Sequence, residues 1–193
     1  MRRVLLTILA WSLVGTNSAR ATDDLVAPEL AVPLFLKILS YDQSYKFDKD
    51  KTVDFYLPYD KADAASYEQY RAARGYFQKN EDVTVFGAKV RFLPICCDST
   101  KLVLSQVNPN HYNMMVLTSM SRAKVQELLD DQQGRSVRTY TLDPGQMSLG
   151  VAVGIKPTKG KNSIVVNLAE AEKEGTRFGA QLLRICELLE ETP

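Results

Sequence analysis

One histidine, three cysteines and a glycine-aliphatic run are the residues of this chain whose types could carry chemistry. His111 is the only histidine, so any serine–histidine–aspartate arrangement or imidazole metal site would have to use it. No cysteine stands near it, and it lies between Asn108-Pro109-Asn110 and the apolar run Tyr112 to Leu117. That context reads as a surface-loop histidine ahead of a strand, with no catalytic or metal role. Gly150-Val151-Ala152-Val153-Gly154, with Gly160-Lys161 after it, does not make a phosphate loop. Five residues separate Gly154 from Gly160 where four are needed, Asn162 stands where Ser or Thr would follow the lysine, and the next element reads as a strand. These glycines are expected to serve strand packing or a bulge. The carboxylates are scattered among Lys and Arg on helical faces and read as solvated surface. No catalytic, cofactor-binding or metal-ligating residue is assigned.

Cys96, Cys97 and Cys186 leave one thiol over whatever pairing forms. In an extended segment, adjacent side chains point to opposite faces, so one of Cys96 and Cys97 can face the layer that holds Cys186. A Cys97–Cys186 or Cys96–Cys186 bond is one reading. Three buried thiols and a vicinal Cys96–Cys97 bond are the others.

The elements that must position these residues alternate along the chain. Pro28 opens a helix of about three turns ending near Ser40-Tyr41, and Lys51 to Leu57 is β-rich and stops at Pro58. A helix from Asp63 to Lys79 follows. Val83 to Phe86 and Lys89 to Leu93 flank Gly87-Ala88 as a tight hairpin. A short helix from Ser99 to about Val107 precedes the Tyr112–Leu117 run, which reads as a central parallel strand. Ser121 to Gln132 is a helix capped by Gly134, and Val137 to Thr141 is a strand closed by Asp143-Pro144-Gly145. Leu149 to Ile155 and Ser163 to Leu168 read as two strands joined by a basic loop. Phe178, Leu182, Ile185, Cys186 and Leu189 recur at helical spacing, which predicts a closing helix. This order predicts one α/β domain, a Rossmann-like three-layer sandwich with a mostly parallel sheet and a C-terminal β-hairpin plus helix. Its crevice at the strand carboxyl ends would be lined by Tyr59, Thr118-Ser119-Met120 and Leu142-Asp143.

Met1-Arg2-Arg3, an apolar stretch from Val4 through Val14 and Ala19-Arg20-Ala21 match a secretory signal peptide cleaved after Ala21. The domain would then be residues 22–193, and removing 21 of 193 residues leaves 172 in the mature chain. Lys plus Arg falls from 24 to 21 against 23 acidic residues, so the net charge moves from +1 to −2. A balance so mild argues against nucleic acid as a partner.

Taken in series, several blocks resemble the YfiR-like (YfiR/HmsC) family. They are Phe35 to Asp42, Phe86 to Ile95, Leu149 to Gly154, Ile164 to Leu168, and Glu174 to Phe178 continued by Gln181 to Ile185. The chain departs at Tyr45-Lys46-Phe47, where the family often has a Trp-Pro pair. The resemblance implies a periplasmic α/β domain without a nucleotide site. It also implies a non-enzymatic regulatory or adaptor role, without cofactors, on a membrane protein with a periplasmic sensor domain. Known members restrain diguanylate cyclases and so act on cyclic-di-GMP signalling and biofilm formation. A homodimer is an open alternative for the assembly, and a small-ligand binding module using the strand-end crevice is the alternative for the function.

Overall fold

A computed structural model describes residues 25–97, 107–158 and 161–189. The expected leader (1–21) and nearly all of the expected helix from Ser99 lie outside them. Helix α1 (Pro28–Leu39) is followed by β1 (Thr52–Tyr59), α2 (Ala64–Lys79), β2 (Thr84–Val85) and β3 (Ala88–Cys96). Then come β4 (Tyr112–Leu117), α3 (Arg122–Gln132), β5 (Val137–Thr141) and a 3-10 turn, Pro144–Leu149. The chain closes with β6 (Val153–Thr158), β7 (Lys161–Val166), α4 (Leu168–Lys173), α5 (Ala180–Leu183) and β8 (Glu187–Leu188).

All eight strands join one sheet in the order β2-β3-β1-β4-β5-β6-β7-β8. Strands β3, β1, β4, β5 and β6 are parallel, whereas the β2–β3 and β6–β7 pairs are antiparallel. The parallel block has the doubly wound order 2-1-3-4-5. Each face carries its own core, because alternate residues of a strand point to opposite sides. On one face Val53, Phe55 and Leu57 of β1, with Tyr112, Met114 and Val116 of β4, meet Phe35, Leu39, Tyr70 and Ala73 of α1 and α2. On the other, Tyr56, Met115 and Leu117 meet Val125, Leu128 and Leu129 of α3. The expected three-layer α/β sandwich is therefore present.

Caps mark several boundaries where the sequence placed them. Asp63 accepts from Ser66 N at the start of α2, and Ser121 does the same for Lys124 N at the start of α3. Strand β1 runs through Pro58 because its pairing with β4 has already ended at Tyr56. The Thr118 hydroxyl then donates to the Pro58 carbonyl over 2.9 Å. The hairpin turn is shifted by one residue from expectation. Phe86 (φ 48°) and Gly87 (φ 89°) are its two centre residues, both left-handed as a type I′ turn requires.

Two expectations are corrected. Residues 144–149 form a 3-10 turn, so the strand begins at Val153 and not at Leu149; Asp143 accepts from Gly145 N and starts that turn. The closing helix is also not formed. Asn167 caps the short α4, α5 is a single turn, and Glu187–Leu188 pair as β8 beside β7. The open edge of β7 competes with helical periodicity here. Leu189 N donates to Val166 O, and the extended backbone at Gly179 (ψ 151°) separates Phe178 from the single turn that follows.

Gly154 shows why a small residue is needed in β6. A Cβ there would lie 2.8 Å from Met147 Sδ and 3.3 Å from Thr141 Cγ2. Gly154→Ala is expected to cost about 1–3 kcal/mol as Met147 is displaced, towards the lower end because its side chain is flexible. Urea denaturation would read this as a lower midpoint with unchanged slope.

Candidate functional site

The crevice at the carboxyl ends of β1 and β4 is the first place to test, because it is the topological switch point of the sheet. Tyr59, Thr118, Ser119, Met120, Leu142 and Asp143 do gather at this end, and all six are buried. Several of their polar groups are engaged by neighbouring side chains. Ser66 Oγ lies 2.6 Å from Thr118 Oγ1, Gln69 Oε1 accepts from Ser119 N at 2.6 Å, and Gln146 Nε2 donates to Thr118 O at 2.9 Å. Thr141 Oγ1 donates to Gln146 Oε1, and Lys124 pairs with Asp60 across the rim. Helix α2 and the 3-10 turn thus fill the crevice with Ser66, Gln69 and Gln146. Gln69 Nε2 and Ser119 Oγ are left without a protein partner.

His111 is not a free loop residue. Asp54, with no exposed side-chain surface, accepts from Arg91 Nε at 2.6 Å and Arg91 Nη2 at 2.8 Å, and contacts His111 Nδ1 at 2.9 Å. A carboxylate only accepts, so Nδ1 carries the hydrogen; Nε2 then accepts from Asn108 Nδ2 at 3.2 Å. Both ring nitrogens are engaged, so the imidazole clasps β1 to the loop before β4. Burial raises the Asp54 pKa, but the Arg91 and His111 hydrogen bonds outweigh it and hold the carboxyl below its ordinary value. What sequence reasoning missed is a carboxylate inside a strand. Asp54 between Val53 and Phe55 was its one signal. Among the described residues, no group of three or more His, Cys, Asp or Glu can hold a metal ion.

The cysteines are free thiols, and the pairing with Cys186 is corrected. Cys96 ends β3 and Cys186 immediately precedes β8, six strand spacings across the sheet, or roughly 28 Å. A disulfide needs Cα atoms within about 7 Å. Burial pushes the Cys97 thiol up to about 11 and also raises Cys186, which is unfavourable for a reactive thiolate.

Two further features are functional candidates. At the C-terminal edge of the sheet, Ile185, Leu188 and Leu189 are exposed, with Ile185 at 66 %. Beside them a groove of about 420 Å³ is walled by Leu25, Met147, Pro157, Val165 and Leu189, with the Lys156–Glu187 ion pair at its rim. At the amino end of β5, where β6 has not yet begun, the Glu174 carboxylate takes the place of a strand. It accepts from Thr139 N at 2.8 Å and Thr139 Oγ1 at 2.5 Å. Desolvation pushes its pKa up to about 8 despite these bonds.

A doubly wound, mostly parallel sheet with helices on both faces defines a three-layer α/β domain. Three solved structures share the fold. A conserved domain protein of Vibrio cholerae O1 biovar El Tor is 10 % identical with a TM-score of 0.60, covering 86 % of this chain and 61 % of that one. An ABC domain in complex with L-Trp from Streptococcus pneumoniae is 12 % identical at 0.53, covering 80 % and 60 %. A ligand-free, open substrate-binding protein with adhesive properties from Clostridium difficile is 12 % identical at 0.52, covering 88 % and 61 %. The chain thus spans about three-fifths of each of these structures, and at such identity the likeness is one of fold. No curated protein matches. Residues 97–187 match the family model described as YfiR/HmsC-like. The blocks from Leu149 to Ile185 lie inside the matched segment, and those from Phe35 to Ile95 lie before it.

Proposed function

We propose that this protein is a non-enzymatic periplasmic regulator or adaptor that binds the periplasmic sensor domain of a membrane protein. In this reading it is exported by the leader at residues 1–21, and the mature domain begins at Thr22. The match of residues 97–187 to the YfiR/HmsC-like family model supports the regulatory class. It also makes a diguanylate cyclase the favoured partner and cyclic-di-GMP the output. The observation that carries the reading is the exposed Ile185, Leu188 and Leu189 on an edge strand. An open strand edge with adjoining apolar side chains is a docking surface that a lone domain ordinarily protects. No helix among the described residues is long and apolar enough to cross a membrane.

The test is cross-linking in intact envelopes followed by co-purification, with cellular cyclic-di-GMP as the second readout. Leu188→Asp is expected to reduce recovery of the cyclase about tenfold, as loss of one buried apolar anchor implies, and to raise cyclic-di-GMP towards the level of a deletion strain. Because Leu188 is exposed, the thermal midpoint should hold. Undiminished recovery together with unchanged cyclic-di-GMP would remove this surface and this reading.

A further inference from the structure

The turn that leads into β4 is held by a closed set of hydrogen bonds, and a single histidine completes it. Residues 108–111 form a β-turn in which His111 N donates to Asn108 O at 3.1 Å, with Pro109 as its second residue. Asn108 also folds its own side chain back, and its Oδ1 accepts from Asn110 N at 3.0 Å. That bond fixes the orientation of the amide, so Nδ2 is the atom turned towards His111 Nε2, 3.2 Å away. Asn113, with no exposed surface, ties the turn to β4 by donating from Nδ2 to Asn108 O at 2.9 Å and to His111 O at 3.1 Å. Its Oδ1 is left buried without a partner. The closed turn therefore leaves one buried acceptor unserved, which narrows its advantage over a competing arrangement.

We propose that this turn is a proton-operated switch: uptake of a proton by His111 keeps the ring on Asp54 but breaks its contact with Asn108 and opens residues 108–111. The reason is a count of donors and acceptors. The neutral imidazole donates through Nδ1 to Asp54 Oδ2 at 2.9 Å and accepts at Nε2. The protonated ring donates through both nitrogens and accepts nothing, so Nε2–H then faces the Asn108 amide hydrogens. Turning that amide over brings Oδ1 to Nε2–H but sets Nδ2 against Asn110 N, a second donor. No orientation of Asn108 serves both neighbours once the ring is charged. The ring itself stays, because the charge strengthens its bond to Asp54. Among the described residues, Asp54 of β1 favours the charged ring and Arg91 of β3, whose Nη2 lies 3.4 Å from Nδ1, opposes it. Tyr56 reaches the Asp54 carboxylate at 3.4 Å and Tyr45 donates to Asn110 O at 3.4 Å. Both phenols are pushed up by burial, Tyr56 to about 12, and stay neutral. Asp54 stays ionised, because its carboxyl is held below the ordinary value. Water reaches the switch, since the His111 side chain is 21 % exposed. What changes in acid is the outer surface presented by Pro109 and Asn110, both exposed.

NMR of the whole mature protein from about pH 8 to about pH 5, the interval in which an imidazole changes charge, tests this. His111 is the only histidine, so its ring signal reports the charging step without ambiguity. The backbone amides of Asn110 and His111 and the side-chain amides of Asn108 and Asn113 should shift with the same midpoint as the ring. Hydrogen-exchange protection at Asn110 and His111, corrected for the intrinsic effect of pH, should fall about fivefold to tenfold, as loss of one hydrogen bond implies. His111→Gln cannot titrate and should abolish the response. Asn108→Asp offers an acceptor to both Asn110 N and the charged ring, so it should keep the turn closed in acid. Spectra of the unmodified protein keep the test open if a variant folds poorly. Glu174 changes charge in an overlapping range but bonds Thr139 of β5, so its shifts should centre there. Three results would each overturn the proposal: a ring that takes up no proton in this range, a ring that titrates while the signals of residues 108–111 hold still, or the same turn response in His111→Gln. The docking surface lies at β8, on the edge of the sheet, and the turn leads into β4 within it, so either idea can fail alone.

Discussion

Arg91→Met is expected to destabilise the fold by about 2–3 kcal/mol, the largest effect we foresee from a single side chain outside the apolar core. Asp54 has no exposed side-chain surface, whereas Arg91 is half exposed at 48 %. Removing the arginine therefore leaves the buried member of the pair with His111 and a weak Tyr56 contact of 3.4 Å. Breaking a fully buried pair costs about 3–5 kcal/mol; the half-exposed partner and the remaining histidine reduce that figure. Methionine keeps the volume and apolar stem, so the loss reports charge and hydrogen bonding more than packing. Urea denaturation at pH 7 measures it directly, and a midpoint within error of the parent would refute the role given to the clasp. The pH dependence has a defined sign. A carboxyl with a depressed folded pKa contributes stability above its unfolded value near 3.8, and loses it as pH falls through the folded value. The parent's extra stability over Arg91→Met should therefore be full at pH 7 and shrink in acid.

The second large effect is opposite in sign. Glu174 has an ordinary carboxyl value of 4.5 in the unfolded chain, and burial raises it to about 8 in the folded one. Between these values the folded state holds a proton that the unfolded state has lost, so stability falls as pH rises from about 4.5 to 8. Glu174→Gln cannot titrate. The stability of the parent minus that of Glu174→Gln should therefore decline by about 2 kcal/mol between pH 5 and pH 8, after allowing for water contact of the half-buried side chain. Above pH 8 the difference should level off. A difference that is flat over this window would show that the carboxyl is already ionised at pH 5. Glutamine still offers one acceptor to Thr139 N, so the variant keeps part of the link that closes the gap beside β5.

Local chemistry in this chain was readable where one residue sets one conformation. Asp63 and Ser121 at helix starts, Pro28 in a first turn and Gly134 after α3 act through their own backbone and nearest neighbours. Continuous apolar runs such as Tyr112 to Leu117 were equally legible, since a strand buried on both faces has no polar side to show. Alternation of such runs with helices determined the α/β class, and the series of blocks determined the family expectation. Periodicity failed at the end of the chain. Phe178 and Leu182 are buried, but Ile185 and Leu189 are exposed, because pairing with the edge of β7 outweighs a four-residue helical turn.

What only the tertiary structure decided depends on which distant segments meet. Strand order set Cys96 and Cys186 far apart, and no local pattern records a separation across a sheet. His111 became part of a clasp because β1 brings Asp54 and β3 brings Arg91 to it, from 57 and 20 residues away. The strand-end crevice closed because Ser66 and Gln69 of α2 and Gln146 of the 3-10 turn reach across it. Sequence alone therefore determined the elements and the class, through interactions within a few residues. The arrangement of charges, clefts and exposed apolar surface was decided by long-range packing, where a side chain's role comes from partners dozens of residues away.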